Sequence, residues 1–204
     1  MSAEIAPGGL VLVQELVNTL DVETARDALT SVGDLAEFSE RHSLPRLPPT
    51  EIAELVRLRE ALRAVLLVHA GHLPTGVPIP PVVPTPASGP GPGRIDTSPA
   101  DPTAELNRLL TIGPLLLRVD TGGAATLVPV GGLRGVSFVT ARVAAAVAEG
   151  VREGNWWRLK ACEAPNCQWA YYDRSPAGRR RWCSMRVCGS RAKMRAYRAR
   201  RRDV

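Results

Sequence analysis

The sequence predicts an α+β fold, mainly α: a helical N-terminal domain carrying one β-hairpin, then a small C-terminal module organised around four cysteines. Three observations predict it. Apolar residues recur at helical spacing through most of residues 1–151. One pair of short apolar runs, at 115–119 and 125–130, brackets a turn containing glycines. All four Cys, all four Trp and all three Tyr lie between Trp156 and Tyr197. With 204 residues, 45% hydrophobic and 23% charged, the chain suits one ordinary domain or two small ones. That mix excludes a collagen, a coiled-coil rod and a wholly disordered polymer.

The elements follow in order. Leu10, Val13, Leu16, Val17 and Leu20 form one face of a first helix over residues 9–20. A short helix over 34–42 turns Leu35 and Phe38 inward. Thr50, after Pro48-Pro49, is a good N-cap, with Glu51 and Glu54 near the positive end of the dipole. From there Ile52, Leu55, Leu58, Leu62, Val65 and Leu66 mark a long amphipathic helix to about His69. Between Pro74 and Pro99 lie nine of the eighteen prolines and four glycines, so 74–99 reads as an extended, mobile loop. It is not expected to be a domain boundary, because the helices on its two sides need each other to bury their apolar faces. Asp101 or Thr103 starts a helix to about Leu110, and Asp120-Thr121-Gly122-Gly123 closes the hairpin. Ser137 is placed to cap a helix through Val139, Val143, Val147 and Val151.

Charge is as uneven as aromatic content. Residues 1–151 hold 11 Arg and 16 Asp+Glu, a net −5, whereas 152–204 hold 15 Lys+Arg and 4 Asp+Glu, a net +11. A division at about 155/156 is therefore expected, the C-terminal part having a polyanionic partner, nucleic acid first among them. No basic segment followed by an apolar one opens the chain. The longest unbroken apolar runs, 64–68 and 143–148, are far short of the ~20 residues of a membrane span. A cytoplasmic protein with no membrane partner is expected.

The cysteines read Cys162-x4-Cys167-x15-Cys183-x4-Cys188. Two close pairs joined by a hairpin-sized spacer suit one tetrahedral Zn²⁺, each pair bending around one side of the ion. Four thiolates leave no open position for water, so the site is structural and not catalytic. Two disulfides or four buried thiols are the alternatives, less suited to an intracellular chain. In the spacer, Trp169 to Asp173 has strand composition and Ser175-Pro176-Ala177-Gly178 is a turn. The aromatics read first as a small core around the metal, and second as platforms for base stacking.

Arg179, Arg180 and Arg181 precede Trp182-Cys183. Beyond Cys188, Ser190 is placed to cap a helix carrying Arg191, Lys193, Arg195, Arg198, Arg200, Arg201 and Arg202. Positions 191, 195, 198 and 202 form one stripe, with Met194 and Tyr197 on another face suited to the metal core. Arginine forks grip phosphates and read guanine edges. The expected DNA-contacting set is Arg179, Arg180, Arg181, Arg191, Lys193, Arg195, Arg198 and Arg202; a solvated basic helix is the bland alternative.

Residues Cys162 to Lys193, with Trp169, Tyr172-Asp173-Arg174-Ser175, Arg179 to Ser184 and Cys188-Gly189-Ser190-Arg191, resemble the CGNR-type zinc finger. Ser190 stands where the family's tetrapeptide has Asn, and both residues can cap a helix. Leu16-Val17-Asn18-Thr19 resembles the Leu-x-Asn-Thr element of the ABATE domain, a mostly helical region of stress-induced transcription regulators that commonly precedes such a finger. The resemblance implies a bacterial DNA-binding transcription regulator.

Other candidates are weaker. His69 and His72 end the long helix at i, i+3 and read as ordinary helix-end residues, not metal ligands. Asn18-Thr19 ends the first helix through side-chain hydrogen bonds, the alternative being a pocket lining. The glycine pairs at 122–123 and 131–132 are turns. No Ser/His/Asp or Cys/His catalytic set is visible, so no enzyme is expected. The reading is a transcription regulator with double-stranded DNA as partner, a two-fold homodimer, and a small-molecule or protein effector at the N-terminal domain. A zinc-scaffolded protein-interaction module and an RNA-binding factor are the rivals.

Overall fold

The computed structural model describes residues 4–71 and 101–202, and it is mainly helical with small antiparallel hairpins. The loop expected at 74–99, and with it His72, lies outside the described residues. α1 (Leu10–Val17) is central, packed by α3 (Ile52–His69) and α5 (Gly135–Arg152). α4 (Ala104–Leu110) lies against α3 and α5. Leu10, Leu16, Leu55, Leu62, Leu66, Val136, Val139 and Val143 fill the space between them. Among the described residues no helix is long and apolar enough to cross a membrane.

Several helix ends differ from the sequence expectation, each for a local reason. α1 stops at Val17, because Thr19 and Leu20 turn into a two-residue strand β1 (Leu20–Asp21) paired with β2 (Arg26–Asp27). Helix α2 (Val32–Arg41) starts before residue 34, since Ser31 Oγ accepts the Asp34 N–H. Thr50 does not cap α3. It sits in a 3-10 turn (Pro49–Glu51), and Glu51 Oε2 instead accepts the Val136 N–H at 2.6 Å. That carboxylate is what caps α5, and Ser137 does not. Gly135, at φ +53°, leaves the room: a β-carbon there would overlap Glu51.

The hairpin forms as expected from β3 (Leu115–Val119) and β4 (Ala125–Pro129), in the register Leu117↔Leu127. The C-terminal part opens with β5 (Leu159–Ala161) and β6 (Ala170–Tyr172), antiparallel with Lys160↔Tyr171. The apolar core does not stop at residue 155. Leu159, Ala161, Ala170 and Tyr172 are buried in the same cluster as α1, α3 and α5, with β5 on α3 and β6 on α1. Alternation along the strands sends Tyr171 the other way, into a second cluster with Cys162, Cys167 and Cys188.

Candidate metal centre and basic surface

The four cysteines come together from four short backbone devices. Cys162 leaves β5, its N–H bonded to the Trp169 carbonyl across the hairpin. The chain then bends so that the Cys167 N–H reaches the Ala164 carbonyl, with Gln168 held at φ +51°. Cys183 follows the 173–181 loop, which returns to the first pair through the Glu163 N–H and the Arg181 carbonyl. Cys188 lies in a π-helical turn, Met185–Gly189, started by Ser184, whose Oγ accepts the Val187 N–H.

All four Sγ atoms lie within 4.8 Å of one another, with Cys167–Cys183 at 3.6 Å and Cys183–Cys188 at 3.8 Å. A tetrahedron of Zn–S bonds of about 2.3 Å has edges of about 3.8 Å, so the spacing suits one zinc ion and is far too long for disulfides. Hydrogen bonds from Cys167 and Cys183 hold the Cys162 thiol low, whereas its bond to Cys162 pushes Cys167 up to about 12. Cys183 is raised in the same way, and Cys188 by burial. Thiols this close ionise together only around a cation. Trp169, Trp182 and Val187 pack on the cluster, which is the small aromatic core expected around the metal.

A polar knot, not seen in the sequence, ties the spacer. Lys160 and Asp173 are buried and paired at 3.0 Å. Lys160 Nζ also donates to the Gly178 carbonyl at 2.6 Å, while Asp173 accepts the Ser175 N–H, the Ser175 hydroxyl and the Arg180 N–H. Burial works against the carboxylate charge, yet those donors prevail and bring Asp173 down to about 2. Gly178 closes the expected turn at φ +58°, under the Trp157 ring, where no β-carbon fits.

A model described as the CGNR zinc finger matches residues 158–201. A second, described as ABATE, "Putative stress-induced transcription regulator", matches residues 10–154. The chain belongs to the ABATE family. Its four clustered thiols are compatible with one structural zinc ion in a CGNR finger. No curated protein matches the chain.

The ABATE and CGNR segments are joined by a seam of polar bonds that local sequence does not reveal. Asn18 does more than end α1: its Nδ2 donates to the Ala170 carbonyl at 2.9 Å, and its Oδ1 accepts the Ala170 N–H at 2.7 Å. Thr19 does the expected work, its hydroxyl donating to the Leu16 carbonyl. Buried Arg63 donates to the carbonyls of Val17 and of Gln168, the residue after Cys167. His69, its pKa lowered chiefly by burial, bonds the Leu159 carbonyl through Nδ1 and meets the Trp156 ring edge-on. Asn18→Ala is expected to cost about 1–3 kcal/mol, because it strands the Ala170 N–H inside the seam and leaves the Ala170 carbonyl only the longer bond from Gln14 Nε2 at 3.3 Å. Thermal unfolding measures it. Asn18→Asp should recover only the N–H half of the clasp.

The structure sorts the predicted basic set. The last ligand's π turn runs straight into α6 (Ser190–Arg202), so Ser190 is inside the helical run and its Oγ donates to the Met185 carbonyl. Ser184 is the cap. Arg191, Arg195 and Arg198 line one groove with Val187, Ser190 and Met194, and Arg186 joins them. The sequence reading missed Arg186 because it began the helix at 190; extending the helical run through Cys188 would have found it. Arg179, Lys193, Arg195 and Arg198 are exposed and have no carboxylate partner among the described residues. Three others are engaged. Arg180 bonds Glu4 and the Cys183 carbonyl and lies over Tyr171. Arg181 forks onto Glu163 at 2.7 Å, and Arg191 pairs with Glu23 at 2.9 Å. Arg202 is the last residue of α6. Met194 and Tyr197, expected against the metal core, are instead about half exposed on α6. The helix projects away from the core that would have covered them.

Proposed function

We propose that this ABATE–CGNR chain is a DNA-binding transcription regulator of the cytoplasm, its zinc held by Cys162, Cys167, Cys183 and Cys188. The observation that carries the proposal is the groove on α6. Arg186, Arg191, Arg195 and Arg198 line it, on a helical run that contains the ligand Cys188. A metal-anchored helix offers its arginines to double-stranded DNA at little entropic cost, as forks for phosphates or guanine edges. Lys193 and Arg179 extend the positive surface, while Arg180 and Arg181 act by holding the 173–181 loop. The role of zinc is to fix the loop and helix. No catalytic step is assigned to any residue.

Effector sensing belongs to the ABATE segment in this reading. A groove of about 630 Å³ lies between α1 and α2, lined by Val11, Gln14, Glu15, Phe38 and Arg41 and closed by Trp169 of the finger. An effector or partner seated there touches the residue two places from Cys167. A two-fold homodimer fits paired half-sites.

Footprinting of the tagged protein on genomic DNA tests the proposal. Protection of a defined sequence, lost on Arg195→Ala with Arg198→Ala while zinc content is unchanged, is the expected result. Uniform protection, or recovery of RNA or acidic proteins instead, would favour the rival readings. Glu23→Gln, which frees Arg191, is expected to tighten binding by about twofold in an anisotropy titration, a modest gain because the pair is exposed.

A further inference from the structure

The β3–β4 hairpin packs on α5 yet leaves apolar side chains in solvent. Leu116 is 56% exposed, Leu117 59% and Val119 64%, with Leu127 at 41%. The ladder fixes which backbone groups are satisfied. The Asp120 N–H bonds the Ala124 carbonyl at 2.9 Å and the Val130 N–H bonds the Pro114 carbonyl at 3.2 Å. Antiparallel alternation then directs the backbone of Leu116 and Arg118 toward Val128 and Thr126. Leu115, Leu117 and Val119 therefore aim their N–H and C=O groups away from β4. Among the described residues no strand pairs with that edge.

The two edges of the hairpin differ. On β4 the outward positions are Ala125, Leu127 and Pro129, and proline has no N–H to offer a further strand. On β3 all three outward positions keep both groups, and none is charged or a proline. Natural edges are usually protected by such residues, so an open apolar edge marks a pairing surface.

We propose that the free edge of β3 is the two-fold interface of a homodimer, pairing antiparallel with β3 of a second copy about Leu117. The edge is its own complement. Leu117 faces Leu117 of the mate, Leu115 faces Val119, and Arg118 faces Leu116, so no like charges oppose one another. Pairing converts two two-stranded hairpins, marginal in water, into one four-stranded sheet. It also joins Leu115, Leu117 and Val119 to their mates as one apolar face.

The proposal goes beyond the DNA-binding reading and is tested without DNA, so either can fail alone. Sedimentation velocity of the zinc-loaded full chain over a wide concentration range is expected to show a monomer–dimer equilibrium. Leu117→Lys places two ammonium groups on the axis and removes the apposed leucine pair, and should weaken association about a hundredfold or more. Thr126→Glu, on the far strand opposite Arg118, should leave it unchanged. Amide exchange gives the register: Leu115, Leu117 and Val119 N–H should gain protection as concentration rises, while Leu116 and Arg118 are protected throughout. A monomer at every concentration, a dimer indifferent to Leu117→Lys, or protection of the edge independent of concentration would overturn the proposal. The last result would assign the edge to another segment of the same chain.

Discussion

Cys167→Ser, or stripping the metal with a chelator, should lower the melting temperature of the whole chain and not merely melt its C-terminal quarter. Structural zinc contributes an apparent ~10–16 kcal/mol to the folding of small fingers, comparable with the ~5–15 kcal/mol net stability of an entire domain. Without the ion, Cys162, Cys167, Cys183 and Cys188 cannot all remain thiolates at their observed spacing, and the knuckle opens. What opens with it belongs to the N-terminal body. Leu159, Ala161, Ala170 and Tyr172 sit in the core of α1, α3 and α5, and Asn18 and Arg63 lose their carbonyl partners. A loss of about 3–5 kcal/mol in the ABATE segment corresponds to a fall of about 10 °C for a chain of this size. Helical circular dichroism followed against temperature, with zinc content measured alongside, reads the effect. An unchanged main transition after complete zinc loss would show that the two segments fold independently.

Asp173→Ala should be nearly as severe, although Asp173 touches no cysteine. Removing one partner of a buried ion pair costs about 3–5 kcal/mol, because the other charge is left without compensation. Lys160 would stay buried among the Gly178 and Arg180 carbonyls, and the Arg180 and Ser175 N–H groups would lose their acceptor. Lys160→Met with Asp173→Leu should recover only part of the loss, since those loop groups remain unbonded. The pair also sets a pH dependence. The Asp173 carboxyl is lowered from 3.8 to about 2, so its contribution is complete above about pH 4 and is lost as the pH falls toward 2. Acid unfolding of the chain and of Asp173→Asn should therefore differ at neutral pH and converge in strong acid, with zinc release, which protonation of the thiolates drives in both, followed alongside.

The metal centre was legible because its signal is local. Two Cys-x4-Cys pairs and a hairpin-sized spacer are readable in a stretch of 27 residues. The long helices and the 115–130 hairpin were legible for the same reason, since each carries its periodicity within itself. What the sequence hid are bonds between residues far apart in the chain. Glu51 caps α5 across 85 positions, and Asn18 clasps Ala170 across 152. No local propensity reports such partners, so the nearer Thr50, Ser137 and Ser190 looked like caps. The basic set shows the same limit. Composition counts charges, but not that Arg180, Arg181 and Arg191 already face Glu4, Glu163 and Glu23. The free cations are fewer than the +11 suggests.

That reduced set makes the central claim measurable. In the proposed reading Arg179, Arg186, Lys193, Arg195 and Arg198 are the cations that meet phosphate, and about five such contacts predict a slope near −4 to −5 in log K against log salt. The measurement is an anisotropy titration of the zinc-loaded full chain on duplex DNA at several salt concentrations. The account predicts a steep slope, reduced by about two in the Arg195→Ala, Arg198→Ala double variant with zinc retained. No binding at low salt, or a double variant that binds as the parent does with the same slope, would contradict it.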